Sequence, residues 1–168
     1  MGRHTLTFYV SSFTPYHPPV SKKSAKIAAL IESCRGRERD AHYLGYFECF
    51  NQGMFYEAHD VLEELWLAQR RGANDAFYKG LIQFAGAFVH LQKDSAKYPR
   101  LRPSAALFKL ARTNLTAYAP RHEALDVRRV LSTIEQWLTN LEAGRFELNP
   151  LNGNPAPTLR LEVDSPAP

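Results

Sequence analysis

Residues 50–66 read FNQGMFYEAHDVLEELW. Asn51-Gln52-Gly53 has the composition of a helix end, where a glycine takes the left-handed backbone that closes the last turn. Met54 or Phe55 then begins a second helix, expected to run to about Arg71. Arg70 and Arg71 would sit in its last turn, where cations suit the helix dipole, and Gly72 would close it. So short a turn between two apolar-periodic segments predicts antiparallel neighbours. At about 100° per residue, Ala58, Val61, Leu62, Leu65 and Trp66 share one face. Glu57, Asp60 and Glu64 fall along one border of that face, and His59 and Glu63 along the other.

The same periodicity extends in both directions. Upstream, residues 21–34 form a helix that Ser24 can cap, with Ile27, Leu30 and Ile31 inward and Arg35-Gly36-Arg37 as terminator. Asp40 caps the next helix, whose apolar face is Tyr43, Leu44, Phe47 and Phe50. Downstream, Asn74 or Asp75 caps a helix to about Lys93. Its apolar residues (Phe77, Leu81, Ile82, Phe84, Ala85, Phe88, Val89, Leu91) are too widely spread for one buried face, so a central helix covered on more than one side is expected. Gly80 and Gly86 each cost it about 1 kcal/mol of helix propensity relative to alanine, which points to tight packing or to room for something. A basic loop spans 95–103. A fifth helix starts at Pro103-Ser104 and runs to about Ala117, and a sixth starts at Glu123 or Asp126 and ends near Ala143-Gly144.

The fold class is therefore all-α: a compact bundle of five or six antiparallel helices over residues 21–145. Residues 1–20 are expected as an extended N-terminal arm, with a β-like run at 5–10 followed by Pro15, Pro18 and Pro19. Residues 146–168 are expected as an extended or disordered C-terminal tail, with a short extended piece at 158–163.

Composition limits the function classes. At 168 residues, 45% hydrophobic and 23% charged, the chain suits one globular domain. No apolar run approaches the ~20 residues of a membrane span, and the first 20 residues lack a signal-peptide core. Leu6 stands where an N-myristoylation signal has Ser or Thr. No membrane association and a cytoplasmic location are expected. Cys34 and Cys49 are then reduced thiols. The net charge of +4 is spread over scattered arginines and lysines, densest over 97–112, so nucleic acid is not an expected partner.

Chemistry concentrates in two helices. His59 and Glu63 are four residues apart, which brings their Cβ atoms within roughly 6 Å, and an imidazole and a carboxylate so placed can share a divalent ion. Gln83 and His90 are seven apart and interrupt the apolar central helix along one stripe. If the two helices pack antiparallel, this stripe faces His59 and Glu63, which is how bundles build metal sites. The same residues also suit a plainer account: His59 donating to Glu63, His90 favouring its helix terminus, and Glu57, Asp60 and Glu64 forming a solvated face. No H-E-x-x-H, C-x-x-C, phosphate-binding glycine loop or G-x-S-x-G occurs, so serine or cysteine nucleophilic catalysis has no support.

The run FNQGMFYEAHDVLEELW, followed by FYKGLIQFAGAFVHLQKD, resembles a prokaryotic all-helical family catalogued as domain of unknown function 309. The first block carries the resemblance at Phe50, Asn51, Gly53, Phe55, Tyr56, Glu57, Ala58, His59, Asp60, Leu62, Glu63 and Trp66. The second carries it at Gly80, Leu81, Ile82, Gln83, Ala85, Ala87 and His90. Asp60 stands where glutamate is usual, and Gly86 where alanine is commoner. The resemblance covers about residues 43–117 and implies a compact helical fold and a metal-dependent hydrolase activity.

Two functions from different classes follow. As an enzyme, the chain would hold a divalent metal through His59, Glu63 and His90, with Glu57 or Asp60 as general base and Gln83, Tyr56 or Tyr78 orienting substrate. As a non-catalytic interaction or structural module, it would use His59, Glu63, Gln83 and His90 as a buried polar network fixing helix register, with homo-oligomerisation through Phe- and Tyr-rich faces.

Overall fold

Local capping accounts for the first two helices. The computed structural model describes residues 24–162; the N-terminal arm, the first residues of the first predicted helix and residues 163–168 lie outside the described residues. The Ser24 side chain accepts from the Ile27 amide and opens α1 (Ala25–Cys34), and Asp40 accepts from the His42 amide at 2.7 Å and opens α2 (Ala41–Asn51). α2 ends as its sequence predicts. Gly53 takes φ +73°, its amide bonds to the Phe50 carbonyl at 2.9 Å, and the Met54 amide bonds to the Cys49 carbonyl at 3.0 Å. These two bonds are the paired closure of a Schellman turn. α3 (Phe55–Ala68), α4 (Asp75–Gln92), α5 (Leu101–Leu115) and α6 (Val127–Ala143) follow.

The packing order is visible in the cross-helix contacts. Phe55 meets Phe88 (centroids 5.1 Å) and Trp66 donates to Asp75 (2.9 Å), so α3 runs antiparallel to α4. A Cβ on Gly80 would abut Leu115, and the buried Ser104 hydroxyl donates to the Ala87 carbonyl at 3.0 Å, so α5 also runs antiparallel to α4. Ion pairs Arg112–Glu135 and Lys109–Glu142 lay α6 back along α5. Phe77, Leu81, Phe84, Ala85, Ala87 and Phe88 of α4 are fully buried. α4 is thus the central helix that its broad apolar surface predicts. Phe50, Phe84, Phe88 and Trp137 form a contiguous aromatic core through it. Among the described residues, no helix is long and apolar enough to cross a membrane.

Several expectations are corrected. α3 stops at Ala68, so Arg70 and Arg71 lie beyond it; Arg70 stacks on the Trp66 ring at 4.7 Å, and Arg71 turns the chain with φ +66°. α5 begins at Leu101, because Pro103 falls in its first turn, where no amide donor is needed. Asn74 stands at the start of α4 but makes no side-chain cap, since its amide is engaged elsewhere. Glu123 does not begin the sixth helix. With Ala124 it forms the left-handed tip of a small hairpin, β1 (Arg121–His122) and β2 (Leu125–Asp126), paired antiparallel with Arg121 opposite Asp126. Asp126 then caps α6 through the Arg129 amide.

Residues 146–162 lie against the body rather than trailing as a loose tail. The Asn51 side chain both donates to the Leu159 carbonyl and accepts from its amide, each at 2.8 Å, and Leu159 is buried. Leu161 bridges Leu125.

The close approach of α4 and α5 gives a measurable expectation. A Cβ at Gly80 would lie 2.7 Å from Leu115 Cγ. Overpacking of this kind costs about 1–3 kcal/mol and opposes a helix-propensity gain of about 1 kcal/mol. Gly80→Ala should lower the melting temperature by a few degrees, read by circular dichroism; an unchanged or raised value would show that α5 yields freely.

Candidate functional site

The antiparallel α3–α4 contact does bring the polar groups of both helices together. Gly86 is the reason: a Cβ there would sit 3.9 Å from His59 Cδ2 and 3.1 Å from Leu107 Cδ1, so the missing side chain lets three helices converge. Beside it is a pocket of about 210 Å³ lined by Tyr56 and His59 of α3, by Ile82, Gln83, Gly86, Val89 and His90 of α4, and by Leu107 of α5. Its walls are mostly apolar. Its few polar groups are two imidazoles, one amide and the half-exposed Tyr56, stacked against His59 at a centroid distance of 6.5 Å.

At the mouth, His59 Nδ1 lies 3.2 Å from Asp60 Oδ1. One ligand-capable atom from each of His59, Asp60 and Glu63 falls within 4.8 Å of the others. This corrects the helical wheel, which puts Asp60 on the opposite border from His59. Consecutive residues project about 100° apart, but side chains of this length close the gap. His90 is not part of this group; it stands in the pocket wall. An imidazole with two carboxylates is a donor set that divalent cations accept, and all three side chains are only partly buried, leaving solvent access.

His90 is the anomalous group. Its Nδ1 is enclosed and has no hydrogen-bond partner among the described residues. Burial, and then the Arg100 and Lys93 cations, hold its pKa below the ordinary histidine value of 6.5. Gln83 points its Oε1 at Asn114 Nδ2 of α5 (2.7 Å), which leaves its own NH₂ donors uncommitted. Lys93 sits over the Tyr56 ring at 4.8 Å. Asn114, Leu107, Lys93 and Arg100 were not singled out by motif. The available signals are the spacing of Leu107 and Asn114, seven apart on one stripe of α5, and the place of Arg100 in the basic stretch 97–112.

The remaining candidates lie elsewhere. Glu57 is partly buried on α3 but belongs neither to the pocket lining nor to the His59 group. Tyr78 belongs to a separate network. Asn74 Nδ2 contacts both the Tyr78 hydroxyl and Glu123 Oε1 at 3.2 Å, Arg39 donates to Glu123 Oε2 at 2.6 Å, and His122 Nε2 meets Asn74 Oδ1 at 2.7 Å. Tyr43 donates to the Glu123 carbonyl at 3.0 Å. Burial pushes the Tyr43 and Tyr78 hydroxyls up in pKa, so both stay protonated. This network pins the strained hairpin tip to α2 and α4.

Residues 43–98 match the model of a family described as domain of unknown function (DUF309). The matched segment takes in α3, α4 and all but the first two residues of α2, hence every pocket-lining residue except Leu107. No curated protein and no solved structure matches the chain.

The enclosed His90 predicts a pH dependence. A histidine whose pKa is depressed on folding binds fewer protons in the folded state, so stability falls as pH drops from about 6.5 toward the folded pKa. Urea unfolding of wild type and His90→Gln across roughly pH 5 to 7.5 should show a steeper acid-side loss for wild type. Identical slopes would contradict it.

Proposed function

We propose that the chain is a metal-dependent hydrolase acting on a small molecule held between α3, α4 and α5. One observation carries this: one ligand-capable atom from each of His59, Asp60 and Glu63 falls within 4.8 Å of the others, and His59 also lines the pocket. A divalent cation held by these three would supply a water of lowered pKa and polarise the scissile group. His90 is assigned to the pocket wall rather than to the ligand set. Gln83, with its carbonyl turned to Asn114, keeps amide donors for substrate, and Tyr56 covers the rim. Ile82, Val89 and Leu107 exclude water from the apolar side. A pocket of about 210 Å³ falls below the roughly 300–1,000 Å³ of drug-sized sites, so the substrate is small.

A non-catalytic role has one observation in its favour. The Gln83–Asn114 bond at 2.7 Å ties α4 to α5 and would fix their register whatever the pocket binds. The two accounts differ in their response to metal.

Calorimetric titration of metal-free protein with Zn²⁺ and Mn²⁺ should reveal one site that is lost in His59→Ala and weakened at least about tenfold in Glu63→Gln, by analogy with ligand loss at other metal centres. Turnover of chromogenic ester and phosphoester substrates should vanish on chelation and return with metal. Wild-type metal binding no tighter than that of His59→Ala would end the hydrolase account, and a melting temperature indifferent to chelation would favour the register-fixing one.

A further inference from the structure

The His90 end of the pocket is flanked by the Arg100 and Lys93 cations. His90 Nδ1 and Arg100 Nε are the two enclosed side-chain atoms without a partner among the described residues. Arg100 forms no ion pair there, and Lys93 rests only on the Tyr56 ring at 4.8 Å. The one carboxylate nearby, Asp94, is already engaged. It accepts from the Arg100 backbone amide at 2.7 Å and lies 3.5 Å from Asn149 Nδ2. α5 begins at this end with no acidic residue in its own first turn, and Asp94 is committed to the Arg100 amide that precedes it. Unpaired buried donors and cations cost stability unless something satisfies them.

We infer that the pocket takes a small organic oxyanion, its carboxylate or phosphate lying at the His90 end, where Arg100 and Lys93 flank the pocket, with a short apolar body against Ile82, Val89 and Leu107. This rests on the pocket being the substrate site, and it names the substrate class. Arg100 presents a planar fork suited to two oxygens of one anionic group, and Lys93 a mobile point charge at the rim. His59 of the cation-ligating group lies against Gly86, one turn of α4 from His90. A molecule anchored by its anionic group at His90 would therefore direct its remaining functional group toward His59.

The test uses the full chain, ¹⁵N-labelled, titrated separately with isobutyrate, isobutyl phosphate and the neutral isobutyramide. Backbone and imidazole shifts are followed by NMR. At least one anion should bind about tenfold or more tighter than the amide, shift the His90 signals, and weaken as salt rises. Arg100→Gln should lose most of that preference while keeping the wild-type affinity for Zn²⁺ alone. His59→Ala should lose Zn²⁺ and keep the anion. Equal binding of amide and anions, or an anion affinity unchanged in Arg100→Gln, overturns the inference. Arg100-dependent anion binding in a chain that takes up no metal upholds it while the hydrolase account falls. Metal uptake without anion preference does the reverse.

Discussion

Everything in this molecule depends on burying α4 on several sides at once. An eighteen-residue helix with fully buried Phe77, Leu81, Phe84 and Phe88 cannot rest on a single neighbour; it needs α2, α3, α5 and α6 around it. Burying each such side chain is worth about 1.5–3 kcal/mol, so the gain from surrounding α4 outweighs the helix propensity lost at its glycines. Those glycines are the means of close approach. Gly80 admits Leu115 of α5, and Gly86 admits His59 of α3 and Leu107 of α5.

The pocket is a by-product of the same arrangement. Where a glycine draws three helices together, the adjoining polar stripe of α4 has no apolar surface left to cover it. Gln83 and His90 therefore look into a hollow rather than into solvent or core. The second polar network, around Glu123, shows the contrast. There each group has a partner, from Arg39 to Asn74 to His122, and the result is a fastening. At His90, by contrast, Nδ1 is enclosed with no partner among the described residues.

Helix number and order were legible because each helix has its own local signature: Ser24 and Asp40 as caps, Gly53 as terminator, and apolar spacing along every face. The antiparallel pairing of α3 with α4 was legible from the shortness of their connection. What escaped were contacts set by distant chain. Asn74 fails to cap α4 because Glu123 and His122, nearly fifty residues on, claim its side chain. Asn114 orients Gln83 from a helix with no motif of its own. Leu159 is held by Asn51 across 108 positions, so a stretch rich in proline and asparagine reads as loose though it is fastened. Asp60 was placed on the wrong border for a different reason: a wheel projects backbone directions and ignores the reach of side chains.

The contribution of Leu107 has a consequence for how such a site can change. The groups that would do chemistry stand on α3 and α4, whose spacing is fixed by the core, while one wall is a single leucine on a helix beyond the DUF309 segment. Exchanging that residue would resize the chamber while leaving the fully buried core residues in place, so the width of the hollow can drift independently of the polar groups beside it.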